Sequence, residues 1–180
     1  MTRVVITDET EATSIIAQRR AAGLDTYDEV WDGVYRVVPA GNRRHGETQA
    51  ALIAALRGVV ELLPLIVSGP VNIGTSGNYR VPDAAVLDPT ADADQDDVFV
   101  PTARMVVEVR SAQDDTYDKF PFYWDHGVAE IVVALPRQGV IELWIRHEAS
   151  QQYTQSRRSS VLAIQPDTAG WLGAAIGWVP

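Results

Sequence analysis

The sequence predicts an α/β fold in which helices flank a mixed β-sheet. Two observations support this prediction: an apolar stripe with helical spacing lies early in the chain, and short apolar runs separated by glycine and proline follow it. The resulting order of strand, helix, several strands, helix and strands is typical of a sheet with helices packed against it. Neither an internal repeat nor a linker interrupts the sequence, so we expect one domain over residues 1–180.

Three segments are predicted to be helical. A short helix is expected over residues 9–22, and a longer one over 41–64, where apolar residues recur at helical spacing. The third helix is expected to start near Asp118 as its N-cap, because Pro121 is well tolerated only in the first turn of a helix. Gly127 is expected to end this helix.

The predicted strands are short. Residues 31–40 are expected to form one strand entered by an Asp-Gly turn, and residues 129–147 a hairpin across Arg-Gln-Gly. The other expected strands are a pair around a glycine-rich turn, a buried strand and two weak edge strands: 65–74, 79–89, 103–111, 150–156 and 159–165. The apolar residues 170–180 are expected to be irregular.

The composition excludes several classes of protein. The formal net charge of −9 argues against a nucleic-acid coat protein, although it allows a local basic patch or an acidic site that reaches phosphate through metal ions. The absence of cysteine excludes disulfides, thiolate catalysis and cysteine-based zinc sites. No apolar run is long enough to span a membrane and the first residues lack a signal-peptide core, so we expect a cytoplasmic protein.

Two carboxylates occupy strand positions that favour apolar residues. Glu108 lies in the run Met-Val-Val-Glu-Val, and Asp83 shares the face of its strand with apolar residues. Two carboxylates on neighbouring strands repel each other unless a positive charge lies between them, and their hard oxygens suit Mg²⁺ or Mn²⁺. Alternatively, Asp83 is a turn residue after Pro82, and Glu108 forms a structural ion pair with Arg80 or Arg110.

Lys119 is the single lysine of the chain, among 15 lysine and arginine residues in total. Arginine is effectively always protonated, whereas lysine is a compact donor whose pKa can be moved. A lone lysine that follows Glu108 along the chain therefore indicates a functional role, as a further positive charge beside the two carboxylates.

Three further polar residues are candidates for the same site. Helix geometry places His45 in line with the apolar stripe that faces the sheet, whereas Glu47 points to the opposite side. His45 is therefore either a core residue or a ligand or acid/base, and Glu47 is expected to face water. Ser111 either donates to a site carboxylate or is an ordinary strand-end hydroxyl. The aromatic residues 122–124 are expected to pack the core rather than to stack on bases.

The segments around these residues resemble a known family. The Pro-Asp pair at 82–83, the run Val-Val-Glu-Val-Arg-Ser at 106–111 and the stretch 114–136 resemble the PD-(D/E)XK nuclease superfamily. More closely, they resemble the Uma-type family of putative restriction endonucleases of bacteria, from about residue 31 to residue 144. The resemblance implies a restriction-endonuclease-like mixed β-sheet flanked by helices. It does not extend over residues 150–180, for which the sequence itself predicts edge strands and an apolar tail.

The resemblance also implies roles for individual residues. Asp83 and Glu108 are implied to hold Mg²⁺ or Mn²⁺, and Lys119 to position or activate the attacking water. His45 stands where the family tends to carry a histidine. The superfamily pattern has lysine two residues after the glutamate, but Arg110 occupies that position here. The resemblance to the Uma-type family implies that the lysine has moved to the following helix, where Lys119 matches its place.

Together, these features predict magnesium-dependent hydrolysis of DNA phosphodiester bonds over a nuclease-like core of about residues 31–146. The alternatives are a module without catalytic activity that binds nucleic acid or protein, and a metal-dependent hydrolase of a small phosphate ester. The residues 171–180 are too apolar for a free end and should pack on their own domain or on a partner. We expect a homodimer, partly because a restriction-type nuclease must cut two strands.

Overall fold

The computed structural model describes residues 9–89, 98–111, 115–162 and 166–178. Within these residues the helices are α1 (Glu9–Ala21), α2 (Arg43–Val60), α3 (Phe120–Asp125) and α4 (Thr168–Ala175), with 3₁₀ turns at Thr116–Lys119 and Glu148–Ser150. The strands are β1 (Glu29–Trp31), β2 (Val34–Arg36), β3 (Ile66–Ser68), β4 (Asn72–Thr75), β5 (Asn78–Arg80), β6 (Ala84–Leu87), β7 (Phe99–Val100), β8 (Met105–Val109), β9 (Glu130–Leu135), β10 (Val140–His147) and β11 (Gln152–Ser156).

The strands form two mixed sheets rather than one. The smaller sheet has the order β2-β1-β5-β4-β7, and only its β4–β7 pair is parallel. The larger sheet has the order β11-β10-β9-β8-β6-β3, and its central β8–β9 pair is parallel. The predicted fold class, a mixed α/β fold with flanking helices, is confirmed, although the division into two sheets was not foreseen.

The larger sheet is covered on both faces, which is why β8 and β9 are buried along their whole length. Val107 and Val109 belong to a core shared with α2 and α4, whereas Val106 belongs to a second core shared with α3 and the smaller sheet. Since side chains alternate along a strand, Glu108 lies on the same face as Val106. The carboxylate therefore points toward the space between the two sheets.

The predicted strand over 31–40 is wrong. The chain instead forms the β1–β2 hairpin, in which Trp31 pairs with Val34 across Asp32-Gly33. Both turn residues have positive φ, 49° for Asp32 and 83° for Gly33, as a two-residue type I′ hairpin requires. Asp-Gly thus joins two strands instead of introducing one, and the first strand begins at Glu29.

The two strands predicted over 65–74 and 79–89 are each divided in two. β3 and β6 belong to the larger sheet, whereas β4 and β5 belong to the smaller one. Pro82 lies between β5 and β6, where its missing N–H and fixed φ end one ladder before the next begins. This crossing from one sheet to the other places Asp83 next to both.

The start of α3 and the C-terminal segment also differ from expectation. Asp118 is not the N-cap of α3, because a 3₁₀ turn over Thr116–Lys119 precedes the helix and Lys119 takes the capping position. The residues predicted as irregular contain α4, whose N-cap Asp167 accepts from Gly170 N–H and which buries Leu172 completely. Residues 159–162 are not a strand, and 163–165 and 179–180 lie outside the described residues.

The predictions for α1, α2, the β9–β10 hairpin and the edge strand β11 are confirmed. No helix within the described ranges is both long enough and apolar enough to cross a membrane.

Candidate active site

Asp83 is held at the junction of the two sheets by contacts on all sides. Its N–H donates to the carbonyl of Val107 over 2.9 Å, and its Oδ2 accepts from Val109 N–H over 2.6 Å. Its Oδ1 lies 2.7 Å from His45 Nε2, and Gln49 donates to its carbonyl oxygen over 2.7 Å. The carboxylate is therefore fixed beside the end of β8, and it is more than a turn residue after proline.

Glu108 is buried in the middle of β8 and has two side-chain donors. Lys119 Nζ lies 3.0 and 3.1 Å from its two oxygens, and the Tyr123 hydroxyl donates to Oε1 over 2.6 Å. Burial raises the pKa of Glu108 to about 7, although Lys119 opposes the shift. This carboxyl therefore holds its proton more tightly than an exposed glutamate does.

The cation beside Glu108 is Lys119, not the arginines that the sequence offered as alternatives. Arg80 donates to the carbonyl of Val30 over 2.7 Å, and the Arg110 guanidinium lies 5.0 Å from the ring centre of Tyr117. The alternative interpretation of Glu108, an ion pair with Arg80 or Arg110, is therefore wrong. Lys119 instead supplies a single ammonium group, which lies between β8 and the smaller sheet.

The second partner of Lys119 is Glu29, a buried carboxylate of the smaller sheet that sequence reasoning missed. Lys119 Nζ lies 2.9 Å from Glu29 Oε1, which also accepts from Val81 N–H over 2.8 Å. Trp31 Nε1 donates to the other oxygen of Glu29 over 2.7 Å. The available signal was a carboxylate followed by the apolar pair Val30-Trp31, directly before an Asp-Gly turn.

The two glutamates decide the charge of Lys119. Burial alone would lower the pKa of the lysine, but Glu108 and Glu29 outweigh it and raise this pKa above its ordinary value. Lys119 is therefore an ammonium group at neutral pH, and it is a fixed positive charge rather than a base.

Tyr123 was expected to pack the core, and it is indeed completely buried. Its hydroxyl, however, also belongs to the site, because it donates to Glu108. Burial and the neighbouring Glu108 raise the pKa of the phenol well above its usual value, so the hydroxyl keeps its proton.

The histidine and its neighbours lie where helix geometry predicted. His45 reaches Asp83, whereas Glu47 is exposed and pairs with Arg43 over 2.7 Å. Ser111 Oγ lies 3.4 Å from His45 Nδ1, which is long for a hydrogen bond. A line of polar side chains therefore runs from Ser111 through His45 to Asp83.

These side chains line one cavity of about 260 Å³. It lies between the start of α2, the β1–β2 hairpin, the end of β8 and the start of α3. Its wall includes five residues proposed from the sequence and, in addition, Glu29, whereas the candidate Glu47 lies outside it; the five are His45, Asp83, Glu108, Ser111 and Lys119. Four carboxyl groups line it; Asp115 is paired with Arg36, and the other three share one ammonium group, which leaves negative charge to be balanced. Hard oxygen ligands with excess negative charge fit Mg²⁺ or Mn²⁺.

The metal-binding geometry is not ready-made. In the described part of the chain, no three histidine, aspartate or glutamate side chains converge as a cluster that could hold a metal ion. The residues suited to hold a cation in the cavity are the two carboxylates Asp83 and Glu108, whose oxygens now accept from His45, Val109, Lys119 and Tyr123.

Comparison with known proteins identifies the family of this chain. The sequence matches the model of the Uma2 family, described as "Putative restriction endonuclease", over residues 24–175. The chain belongs to this family. The match spans every residue of the candidate site, from Glu29 to Tyr123, and it confirms the resemblance found in the sequence.

A solved structure is similar to this Uma2-family chain in fold. It is the crystal structure of a putative nuclease belonging to DUF820 from Anabaena variabilis, with a TM-score of 0.67 and 13% sequence identity. The likeness covers 84% of this chain and 90% of that chain. No curated protein matches the sequence. At this identity the likeness shows that the two chains share a fold.

Proposed function

We propose that this chain is a metal-dependent nuclease that hydrolyses DNA phosphodiester bonds. The observation that carries the proposal is the position of Lys119, whose ammonium group lies 3.0 Å from Glu108 and 2.9 Å from Glu29 in a cavity that Asp83 also lines. Converging buried carboxylates with one fixed cation in a cleft are typical of a catalytic site. The family, whose description is that of a restriction endonuclease, supports DNA as the substrate.

Each residue has a proposed part. Asp83 and Glu108 would hold Mg²⁺ or Mn²⁺, which when bound polarises the phosphate and activates water. Lys119 stays an ammonium group, so it orients the attacking oxygen and stabilises negative charge on the phosphate instead of accepting a proton. His45 keeps Asp83 in one orientation through their 2.7 Å contact and is a positioning residue in this scheme.

The partners and location expected from the sequence belong to this proposal. DNA in the cytoplasm is the expected substrate, and a homodimer is the expected assembly. The dimer has less support than the sequence gave it. The apolar tail forms α4, which packs on its own chain and buries Leu172 completely. Its remaining support is that a restriction-type enzyme must cut two strands.

One observation favours the alternative, a module without catalytic activity that binds nucleic acid or protein. Both oxygens of Glu108 are held by Lys119 and one of them also by Tyr123, as in a structural ion pair. A metal ion must therefore compete with an ammonium group for the same carboxylate. The cleavage experiment below separates the two functions.

The test is nicking of supercoiled plasmid by the purified protein with Mg²⁺, with Mn²⁺ and with chelator. We expect nicking with either metal ion and none with chelator, because Asp83 and Glu108 need the ion to act. Glu108→Gln should abolish nicking, whereas Glu61→Gln, at an exposed glutamate just after α2, should not. A parent protein that nicks no DNA with either ion would overturn the nuclease proposal and favour the interaction module.

A further inference from the structure

A second cleft, of about 350 Å³, lies beside the candidate active site. It is formed by the start of α2, the residues after β8 and the turn between β9 and β10. The lining residues are Asn42, Arg43, Arg44, His45, Arg110, Ser111, Pro136 and Arg137. His45 and Ser111 line both spaces, so they form the shared wall between this cleft and the active-site cavity.

The charge of the second cleft is opposite to that of the active-site cavity. Four arginines from three elements line it, and none of the described residues in its lining is acidic. Arg43 pairs with Glu47 while both side chains are exposed, so this pair is weak. In a chain with a net charge of −9, this is a local concentration of positive charge.

We propose that this basic cleft binds a backbone phosphate of the nucleic-acid strand, next to the phosphate that occupies the active-site cavity. Guanidinium groups match phosphate oxygens in a planar, two-pronged geometry, and contacts of this kind fix the register of a strand without reading its sequence. Because the two spaces share a wall, a strand that crosses it presents successive phosphates to both. The proposal rests on the proposed function only in taking nucleic acid as the ligand.

The exposed arginines Arg44 and Arg137 are the residues to change. Arg57 is the matched control, because it is also exposed and lies on the same helix as Arg44, about 20 Å farther along its axis. The probe is a fluorescein-labelled DNA duplex, and its anisotropy is titrated in chelator between about 50 and 200 mM salt, where no metal-dependent cleavage takes place.

Arg44→Gln and Arg137→Gln should each weaken binding about five- to tenfold, and each should reduce the slope of log K against log salt by about one. Arg57→Gln should change binding less than twofold. The proposal is overturned if the parent does not bind the duplex, if the double variant Arg44→Gln/Arg137→Gln binds like the parent, or if Arg57→Gln loses as much as either cleft variant.

The same proteins separate this proposal from the nuclease proposal. Loss of binding in the cleft variants of a parent that never nicks plasmid supports the phosphate site and removes the nuclease. Nicking by a parent whose double cleft variant binds and nicks equally well supports the nuclease and removes the phosphate site.

Discussion

Two buried glutamates on adjacent strands of the larger sheet have different surroundings. Glu108 in β8 and Glu130 in β9 are 5% and 0% exposed, and both strands are apolar around them. Glu130 accepts hydrogen bonds from the hydroxyls of Ser159 and Ser160 and from the N–H groups of Ser160 and Val161, over 2.5 to 3.1 Å. These donors are neutral, and they attach the segment after β11 to the sheet.

Glu108, in contrast, is held by an ammonium group and a phenol, and it lines a cavity. The difference teaches that a charged residue in an apolar strand does not by itself indicate a catalytic site. A carboxylate surrounded by neutral backbone and hydroxyl donors anchors a segment of the chain. A carboxylate that shares a cation with a second carboxylate beside open space is a candidate for a functional site.

The largest expected effect concerns the cation that distinguishes Glu108. Lys119→Arg should fold but lower plasmid nicking by about 10²–10³-fold, because a planar guanidinium cannot replace a compact ammonium group at the phosphate. Lys119→Met should lose activity and also about 3–5 kcal/mol of stability, because Glu108 and Glu29 lose their shared cation. Urea unfolding and the nicking assay measure the two effects.

A Lys119→Arg protein that nicks DNA as fast as its parent would show that Lys119 only neutralises charge. Arg57→Lys is a suitable control, since it exchanges the same two side chains at an exposed position away from the cavity.

A smaller effect is expected when each glutamate is made neutral. Glu130→Gln should lower the free energy of unfolding by about 2–3 kcal/mol, because an amide NH₂ group then faces hydroxyl and N–H donors. Its nicking activity below the unfolding temperature should equal that of the parent. Glu108→Gln should show the reverse, with activity lost and stability nearly kept. Equal losses of stability in both variants would remove the distinction between the two residues.

The smallest expected effect is a dependence on pH and metal that only Glu108 carries. Its folded pKa of about 7 lies above the ordinary value of 4.5, so the folded state binds this proton more tightly. The stability contributed by this group in metal-free protein is therefore present at low pH and declines as pH rises toward 7. Binding of Mn²⁺ requires the ionised form, so it should stabilise the fold mainly above pH 7.

Thermal unfolding with and without millimolar Mn²⁺ at pH 6 and pH 8 measures this effect, which is worth about 1.4 kcal/mol at a tenfold excess over the dissociation constant. Glu130→Gln should keep the difference between the two pH values, and Glu108→Gln should lose it. A midpoint that Mn²⁺ leaves unchanged at pH 8 in the parent protein would exclude a metal site at Asp83 and Glu108.

Much of the fold could be predicted from local patterns in the sequence. The apolar stripe of α2 and the turn between β9 and β10 each specify their element within a few neighbouring residues. The hairpin at Asp32-Gly33 was misjudged because the same dipeptide can introduce a strand or join two, and the pairing partner decides. The helix α4 was missed because its small and apolar residues carry no amphipathic period.

The candidate site could be predicted in part. The four residues proposed from the sequence, Asp83, Glu108, Lys119 and His45, do line one cavity, although their catalytic roles remain predictions. Glu29 could not be found in this way, because its partner Lys119 lies in a distant part of the chain and no short motif contains both. Tyr123 was assigned to the core because only the position of its hydroxyl, not its burial, separates the two roles.

The link between Glu29 and Lys119 also bears on how the protein is made. The two residues are about ninety positions apart, and contacts of such high sequence separation are slow to form during folding. During synthesis Glu29 leaves the ribosome long before Lys119 does, so that carboxylate lacks this counter-ion until Lys119 has been made. The cavity is therefore assembled only once the segment carrying Lys119 has docked, so a nascent or truncated chain that ends before this residue contains two of the carboxylates without the cation that they share.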